Sequence, residues 1–434
     1  MRIWNRRNAG CIVVIAALTT PAFFAPAFFA QGYKSNLPSD HVAIQYADRR
    51  VHDAVAALAE QVERGALTFT PGRDARGYLP DVLKHLRVNP DSQMLVFSKT
   101  SFQAAHISPS TPRAIYFNDS VAVAYAPGAP LLELAALDPV QGPIFYAMTA
   151  NAEGRPSISR RSVCLSCHQG PNTAGVPGLY VGSVIPGPSG APLRNHSAII
   201  TDHRSPFEDR WGGWYVTARR GQPADRANAV ASNPADPGTL VREAPPNLTS
   251  LARFVEPSGY LGTTSDIVAL MTFEHQTQMI NLMTRVAWQA RLAEHAGHQA
   301  GLATPAVNAD VDELVSYMLF EGEAPLAEPI DGGSTFAETF AQRGPRDARG
   351  RSLRDFDLRT RLFRYPVSYM IYSPTFDALP SAVRDRIYQR LHDALSGADR
   401  RPPSSHLLRQ QRRAALEILK ETKPTLPAYW GGGN

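Results

Sequence analysis

The hydrophobic positions along the chain change period twice, near residue 93 and again near residue 265. Over 42–67, Ile44, Val51, Val55, Leu58 and Val62 recur near helical spacing and the run meets Gly65 as a C-cap, so a helix is predicted there. A second, short helix is predicted over 79–86. From Gln93 onward, 94–97, 113–117, 121–125, 131–137 and 144–148 are short apolar or alternating runs. Asn118-Asp119, Pro127-Gly128, Asp138-Pro139 and Gly142-Pro143 separate them as turns. An antiparallel sheet packed against the first helices follows from that pattern. A short helix is then predicted to begin at 159–162, and the Gly- and Pro-rich stretch 169–195 reads as a loop ahead of a strand at 197–201. The polar stretch 222–246 reads as a linker or exposed loop. The longest periodic run is 265–296, with Val268, Met271, His275, Met279, Leu282 and Val286 on one face. Helices are predicted again over 311–321, 382–395 and 407–421. The expected class is α+β, β-rich in the N-terminal half and mainly helical in the C-terminal half.

Composition places this pattern in a folded globular protein, with 44% hydrophobic and 19% charged residues among 434. The N-terminus changes the picture further. Arg2, Arg6 and Arg7 precede an apolar run over 11–18 and a stretch of small and aromatic residues over 22–30, the order of a secretory signal peptide. An uncleaved anchor competes with that reading, but Thr19, Thr20 and Pro21 interrupt the run before it reaches spanning length. Residues 1–30 are therefore expected to be a signal, followed by a mixed region over 31–158 and a second region over 159–434. No integral membrane span is expected after cleavage, and the expected location is the periplasm. The three leader arginines supply three of the five formal net positive charges, so the mature chain is too balanced to argue for nucleic acid as a partner.

The candidate chemistry lies in Cys164-Leu165-Ser166-Cys167-His168, which holds every cysteine except Cys11. C-x-x-C-H is the attachment signature of haem c. Two thiols three positions apart on a helical turn can add to the vinyl groups on one porphyrin edge, which leaves the following histidine beneath the iron as its proximal ligand. A structural zinc site usually draws on a second ligand pair, and no further cysteine supplies one. The flanks lack the βαβ setting of a thioredoxin-like pair. A Cys164–Cys167 disulfide remains an alternative, one that leaves His168 without a role. With no second C-x-x-C-H, one haem and its iron are expected per chain.

The opposite side of the iron is less constrained. His275, in the apolar stripe of the long helix, is the first candidate for a distal ligand, because a buried imidazole is ligated or hydrogen-bonded. Met279 shares its face, and His203, between Asp202 and Arg204, is the main rival. Met370 reads as core packing. Arg210, Trp211 and Trp214 read equally as a haem edge, with the arginine on a propionate, or as a packing corner. The eight arginines of 343–364, interleaved with Asp347, Asp355 and Asp357, read as an internally paired face, with a docking patch for a redox partner as the minor reading.

Several segments, among them Thr201-Asp202-His203-Arg204-Ser205-Pro206, Arg210-Trp211-Gly212-Gly213-Trp214-Tyr215 and Glu274-His275-Gln276-Thr277-Gln278-Met279, resemble a group of secreted bacterial cytochrome c domain proteins. The resemblance runs over most of the mature chain. It implies haem binding and electron transfer with a redox partner protein or a small-molecule donor or acceptor, and cytochrome c-like elements in the haem-bearing C-terminal region. A haem-dependent oxidoreductase of peroxidase or oxygenase type is the alternative, since the chain is longer than a minimal carrier requires and Asp202, His203 and Arg204 offer acid–base and charge-stabilising groups.

Overall fold

The computed structural model describes residues 35–70, 75–150, 155–194, 196–233, 240–242, 244–297, 304–398 and 408–431, so the expected signal over 1–30 lies outside the described residues. The first helix, α1 (Ala54–Glu63), is shorter than its periodicity suggests. Asp53 sets its start: one carboxylate oxygen accepts from the amides of Val55 and Ala56 at 2.8 and 2.9 Å, and a side-chain N-cap of this kind fixes where a helix begins. The residues before it turn instead, with the Ile44 amide bonded to the His41 carbonyl. Gly65, at φ +66°, ends the turn after α1 as expected. The second helix, α2 (Leu79–His85), follows at its expected place.

The predicted runs form β1 (Met94–Val96), β2 (Arg113–Phe117), β3 (Val121–Tyr125), β4 (Leu131–Asp138) and β5 (Gly142–Ala150), each antiparallel to the next. Side-chain turns hold the register. Asn118 caps the β2–β3 turn by accepting from the amides of Ser120 and Val121, and Asp138 does the same for Val140 and Gln141 before β5. Where a helix is predicted from 159, the chain adds a further edge strand, β6 (Pro156–Arg160), on β5. Its residues, Pro-Ser-Ile-Ser-Arg, carry almost no apolar signal because an edge strand faces solvent. One turn, Ser162–Cys164, then leads into the short helix α3 (Leu165–His168).

Beyond α3, β7 (Val181–Ser183) pairs with β8 (Ile199–Thr201), and β9 (Trp214–Tyr215) pairs with β1. The seven-stranded sheet therefore runs β6-β5-β4-β3-β2-β1-β9 and includes strands from both sides of the boundary expected near residue 158. The stretch read as a linker contains a small hairpin, Ala229–Ala231 against Leu240–Arg242, with Ala229 and Ala231 buried. The fold class is α+β as expected, a sheet in the N-terminal half and helices in the C-terminal half.

One face of the sheet packs Leu95, Tyr116, Val123, Leu134 and Met148 against Val55, Leu58, Leu79 and Val82 of the first helices. The other packs Met94, Val96, Ile115, Phe117 and Leu137 against the long helix α4 (Ile267–His295), as the period of two requires. Asp266 caps α4 at the amides of Val268 and Ala269. This helix is buried on nearly every side, because α5 (Pro305–Met318) and the helices Ser381–Ser396 and Arg409–Thr422 complete the core around it. Its polar residues are therefore paired inside the protein: Gln276 with Asn118 and Tyr369, and Arg285 with Asp310. Met370 lies in the same core, as read from its sequence. Among the described residues, no helix is long and apolar enough to cross a membrane.

Candidate functional site

The chain leaves β6 along the edge of the sheet and curls through Ser162–Cys164 into α3, which presents the motif at the surface. Cys164 is half-buried and Cys167 exposed, and both are free thiols. Burial raises the pKa of the Cys164 thiol, and the Glu133 carboxylate adds to the effect. Among the described residues, no three Cys, His, Asp or Glu side chains gather closely enough to ligate one ion directly.

The His168 imidazole is held in one orientation. Its Nδ1 lies 2.9 Å from the carbonyl oxygen of Gly178, and a carbonyl only accepts, so Nδ1 carries the proton and Nε2 is the bare nitrogen. The Gly178 amide in turn donates to the His168 carbonyl at 2.8 Å. Asn281 of α4 secures this strap: it accepts from the Leu179 amide at 3.0 Å and donates to the Leu179 carbonyl at 2.8 Å. A Cβ at Gly178 would collide with the Asn281 side chain, so only glycine admits this approach. Phe145 and Tyr180 flank the ring at centroid distances of 4.9 and 5.3 Å. Burial lowers the His168 pKa, partly offset by the Gly178 carbonyl, so the ring is neutral at neutral pH. A neutral imidazole whose Nδ1–H is fixed by a carbonyl is the form in which histidine serves as an Nε2 metal ligand.

Beneath this segment lies one face of the sheet. Strand pairing places Ile115, Ala124, Glu133 and Ala147 in one row and Phe117, Ala122, Ala135 and Phe145 in the next. Glu133 is thus a diagonal neighbour of Phe145, which touches His168. It accepts from Arg113 Nη1 at 2.9 Å and from Ser101 at 3.1 Å.

The distal candidates lie elsewhere. His275 and His203 face each other with Nδ1 atoms 2.8 Å apart, and His275 Nε2 lies 2.7 Å from the Ser368 hydroxyl. Both rings are buried, with Tyr317 stacked on His203 at 4.0 Å and Phe320 on His275 at 4.4 Å. His275, expected on the distal side, has both nitrogens hydrogen-bonded within the protein in this arrangement, to His203 and to Ser368. Its neighbours His203, Ser368, Tyr317 and Phe320 are distinct from the neighbours of His168. His203 Nε2 is enclosed and has no hydrogen-bond partner among the described residues, and Met279 is buried in the main core.

Arg210 is also spoken for. It donates to the buried Glu274 carboxylate at 3.1 Å and to the His203 carbonyl at 2.9 Å, while Trp211 and Trp214 are buried beside it. The packing-corner reading of this stretch holds. In 343–364, Arg346 pairs with Asp355, Arg351 with Asp347, Arg349 with Glu417 and Arg361 with Glu323, an internally paired face as expected.

Sequence reading missed the residues that orient the motif: Gly178, Asn281, Phe145, Tyr180, Arg113 and Glu133. Two of them left a trace. Glu133 interrupts an apolar strand, and Asn281 stands between Ile280 and Leu282. Compared with known protein families, with curated proteins and with solved structures, the chain matches none.

Proposed function

We propose that this chain is an exported c-type cytochrome that carries one covalent haem and transfers electrons in the periplasm. The observation that carries the reading is the pairing of the C-x-x-C-H motif with a locked His168, whose Nδ1–H is spent on the Gly178 carbonyl and whose Nε2 is bare. The accessible thiols of Cys164 and Cys167 suit attachment, and the expected signal peptide supplies the compartment. Cys164 and Cys167 would hold the porphyrin through their two thiols, each as a thioether. His168 would offer Nε2 to the iron, its ring held between Phe145 and Tyr180. A haem so held supplies one-electron ferric–ferrous chemistry for exchange with a redox partner.

A second reading, a haem-dependent oxidoreductase with an open distal side, is favoured by one observation: both nitrogens of His275 are bonded within the protein. Two measurements test the pair. The chain is exported in a host that attaches haem c, then separated on a denaturing gel and stained for haem. Haem that stays with the wild type and is lost from the Cys164→Ser/Cys167→Ser double variant supports the attachment. A wild-type chain without haem overturns both readings. Carbon monoxide added to the ferrous protein then divides them, since rapid stoichiometric binding identifies an open site and absence of binding identifies a six-coordinate carrier.

A further inference from the structure

Arg113, at the start of β2, is only partly satisfied. Its Nη1 bonds to Glu133 at 2.9 Å, yet its Nε is enclosed and has no hydrogen-bond partner among the described residues. Leaving a buried guanidinium N–H without an acceptor is costly, and such an orphan in a folded protein calls for a missing partner. The Nε–Nη2 edge of arginine is the fork that takes a carboxylate through two parallel hydrogen bonds. With its side chain 20% exposed, Arg113 remains within reach of a group arriving from outside.

The location narrows what that group is. Arg113 and Glu133 stand on the sheet face that carries Phe145, against which His168 packs. The charge of Arg113 acts on both His168 and Tyr180, and that of Glu133 on both His168 and Cys164. Between them the face is paved by Ala124 and Ala147, which project little above the backbone. Arg210, the arginine that the sequence pattern offered for a propionate, is only 2% exposed and committed to Glu274.

We propose that Arg113 binds the carboxylate of a haem propionate through its Nε–Nη2 edge, while Glu133 holds the guanidinium in place through Nη1. The inference rests on the haem reading above. It makes Arg113 a cofactor-positioning residue that keeps the propionate ionised and offsets its charge.

The test is redox potentiometry of the purified holoprotein between about pH 5 and pH 8, the range over which a carboxyl group released from its partner titrates when partly buried. The wild type is expected to show a midpoint that hardly changes with pH. Arg113→Gln lowers the midpoint, because loss of a positive charge favours the ferric state, and makes it rise as pH falls and the propionate takes up a proton. Glu133→Gln raises the midpoint and keeps the flat profile. The Arg113→Gln/Glu133→Gln double variant retains the pH dependence, which assigns that titration to the propionate rather than to Glu133. A flat double variant, or an Arg113→Gln profile that superimposes on the wild type, overturns the proposal. Should Arg113→Gln fail to accumulate as holoprotein, Arg113→Met is read instead: it removes the charge and the fork while keeping the apolar bulk, so a pH-dependent midpoint supports the proposal and a flat one overturns it. A wild-type chain that carries no haem refutes the function reading itself, whereas a loaded chain indifferent to Arg113 refutes only this inference.

Discussion

Two histidine centres in this molecule use the same side chain in opposite ways. At the surface, His168 has one nitrogen fixed by the Gly178 carbonyl and the other bare. In the core, His275 has both nitrogens bonded, to His203 and Ser368, and its ring stacked on Phe320 and Tyr317. Burial lowers the pKa of both, so neutrality does not separate the proposed ligand from a packing group. What separates them is whether a nitrogen is left over. The same helix serves both centres, since α4 contributes His275 to the core and, six positions on, Asn281 to the strap that orients His168.

The comparison breaks most sharply when each ring is removed in turn from the holoprotein. His168→Ala is expected to abolish the wild-type Soret spectrum, because it removes the proposed proximal ligand, while stability to urea changes little apart from the haem contribution. His275→Ala is expected to do the reverse. It deletes a buried ring and strands the Ser368 hydroxyl and His203, at a cost of about 3 kcal/mol in urea unfolding, with the visible spectrum unchanged. A low-spin spectrum lost in His275→Ala would return this residue to the distal side of the iron.

Asn281→Ala sharpens the link between the two centres. It removes both hydrogen bonds to Leu179 and is expected to cost about 1–2 kcal/mol. It also frees the Gly178 strap, so the yield of haem-loaded chain should fall while the His203–His275 pair stays intact. Equal loading of the variant and the wild type would show that the strap does not orient His168.

The smallest effect is in the pH dependence of stability. His275 is pushed down to about 3 by burial, and His203 is lowered by burial and by His275, Arg204, Arg210 and Arg361. In the unfolded chain both protonate near 6.5, so the unfolded state binds more protons and stability falls as pH drops below that value. Glu274 acts in the other direction. Burial raises its pKa from 4.5 to about 7 despite Arg210, so the folded state binds the extra proton between those values and gains stability on acidification. The two effects partly cancel in the wild type. Glu274→Gln is expected to unmask the histidines and steepen the loss of stability below pH 6.5 in urea titrations, whereas a slope equal to the wild type would mean that the histidine pair does not carry it.

How much of this was legible in the sequence depends on the range over which each signal acts. Strands β2 to β5 are local patterns of alternation bounded by Asn118 and Asp138 turns, and their limits differ from expectation by at most two residues. The motif itself is contiguous, so Cys164, Cys167 and His168 could be read directly. The first helix is shorter than its periodicity because a single cap, Asp53, overrides the spacing of residues upstream. The surroundings of His275 were not legible for a related reason. An apolar stripe shows that a ring is buried but not what faces it, and its partner His203 lies 72 positions away. The floor beneath His168 is likewise assembled by strand register, which sets Glu133 beside Ala147 and Phe145, a relation that no short window of sequence contains.

The most direct test of the account is the stoichiometry of haem on the exported wild-type chain, read from the alkaline pyridine spectrum of the denatured protein together with a titration of free thiols. The account predicts one haem c per chain, with Cys164 and Cys167 both unreactive because each sulfur is bonded to the porphyrin. A chain with no covalent haem, its two cysteines either free or joined as a disulfide, would contradict it.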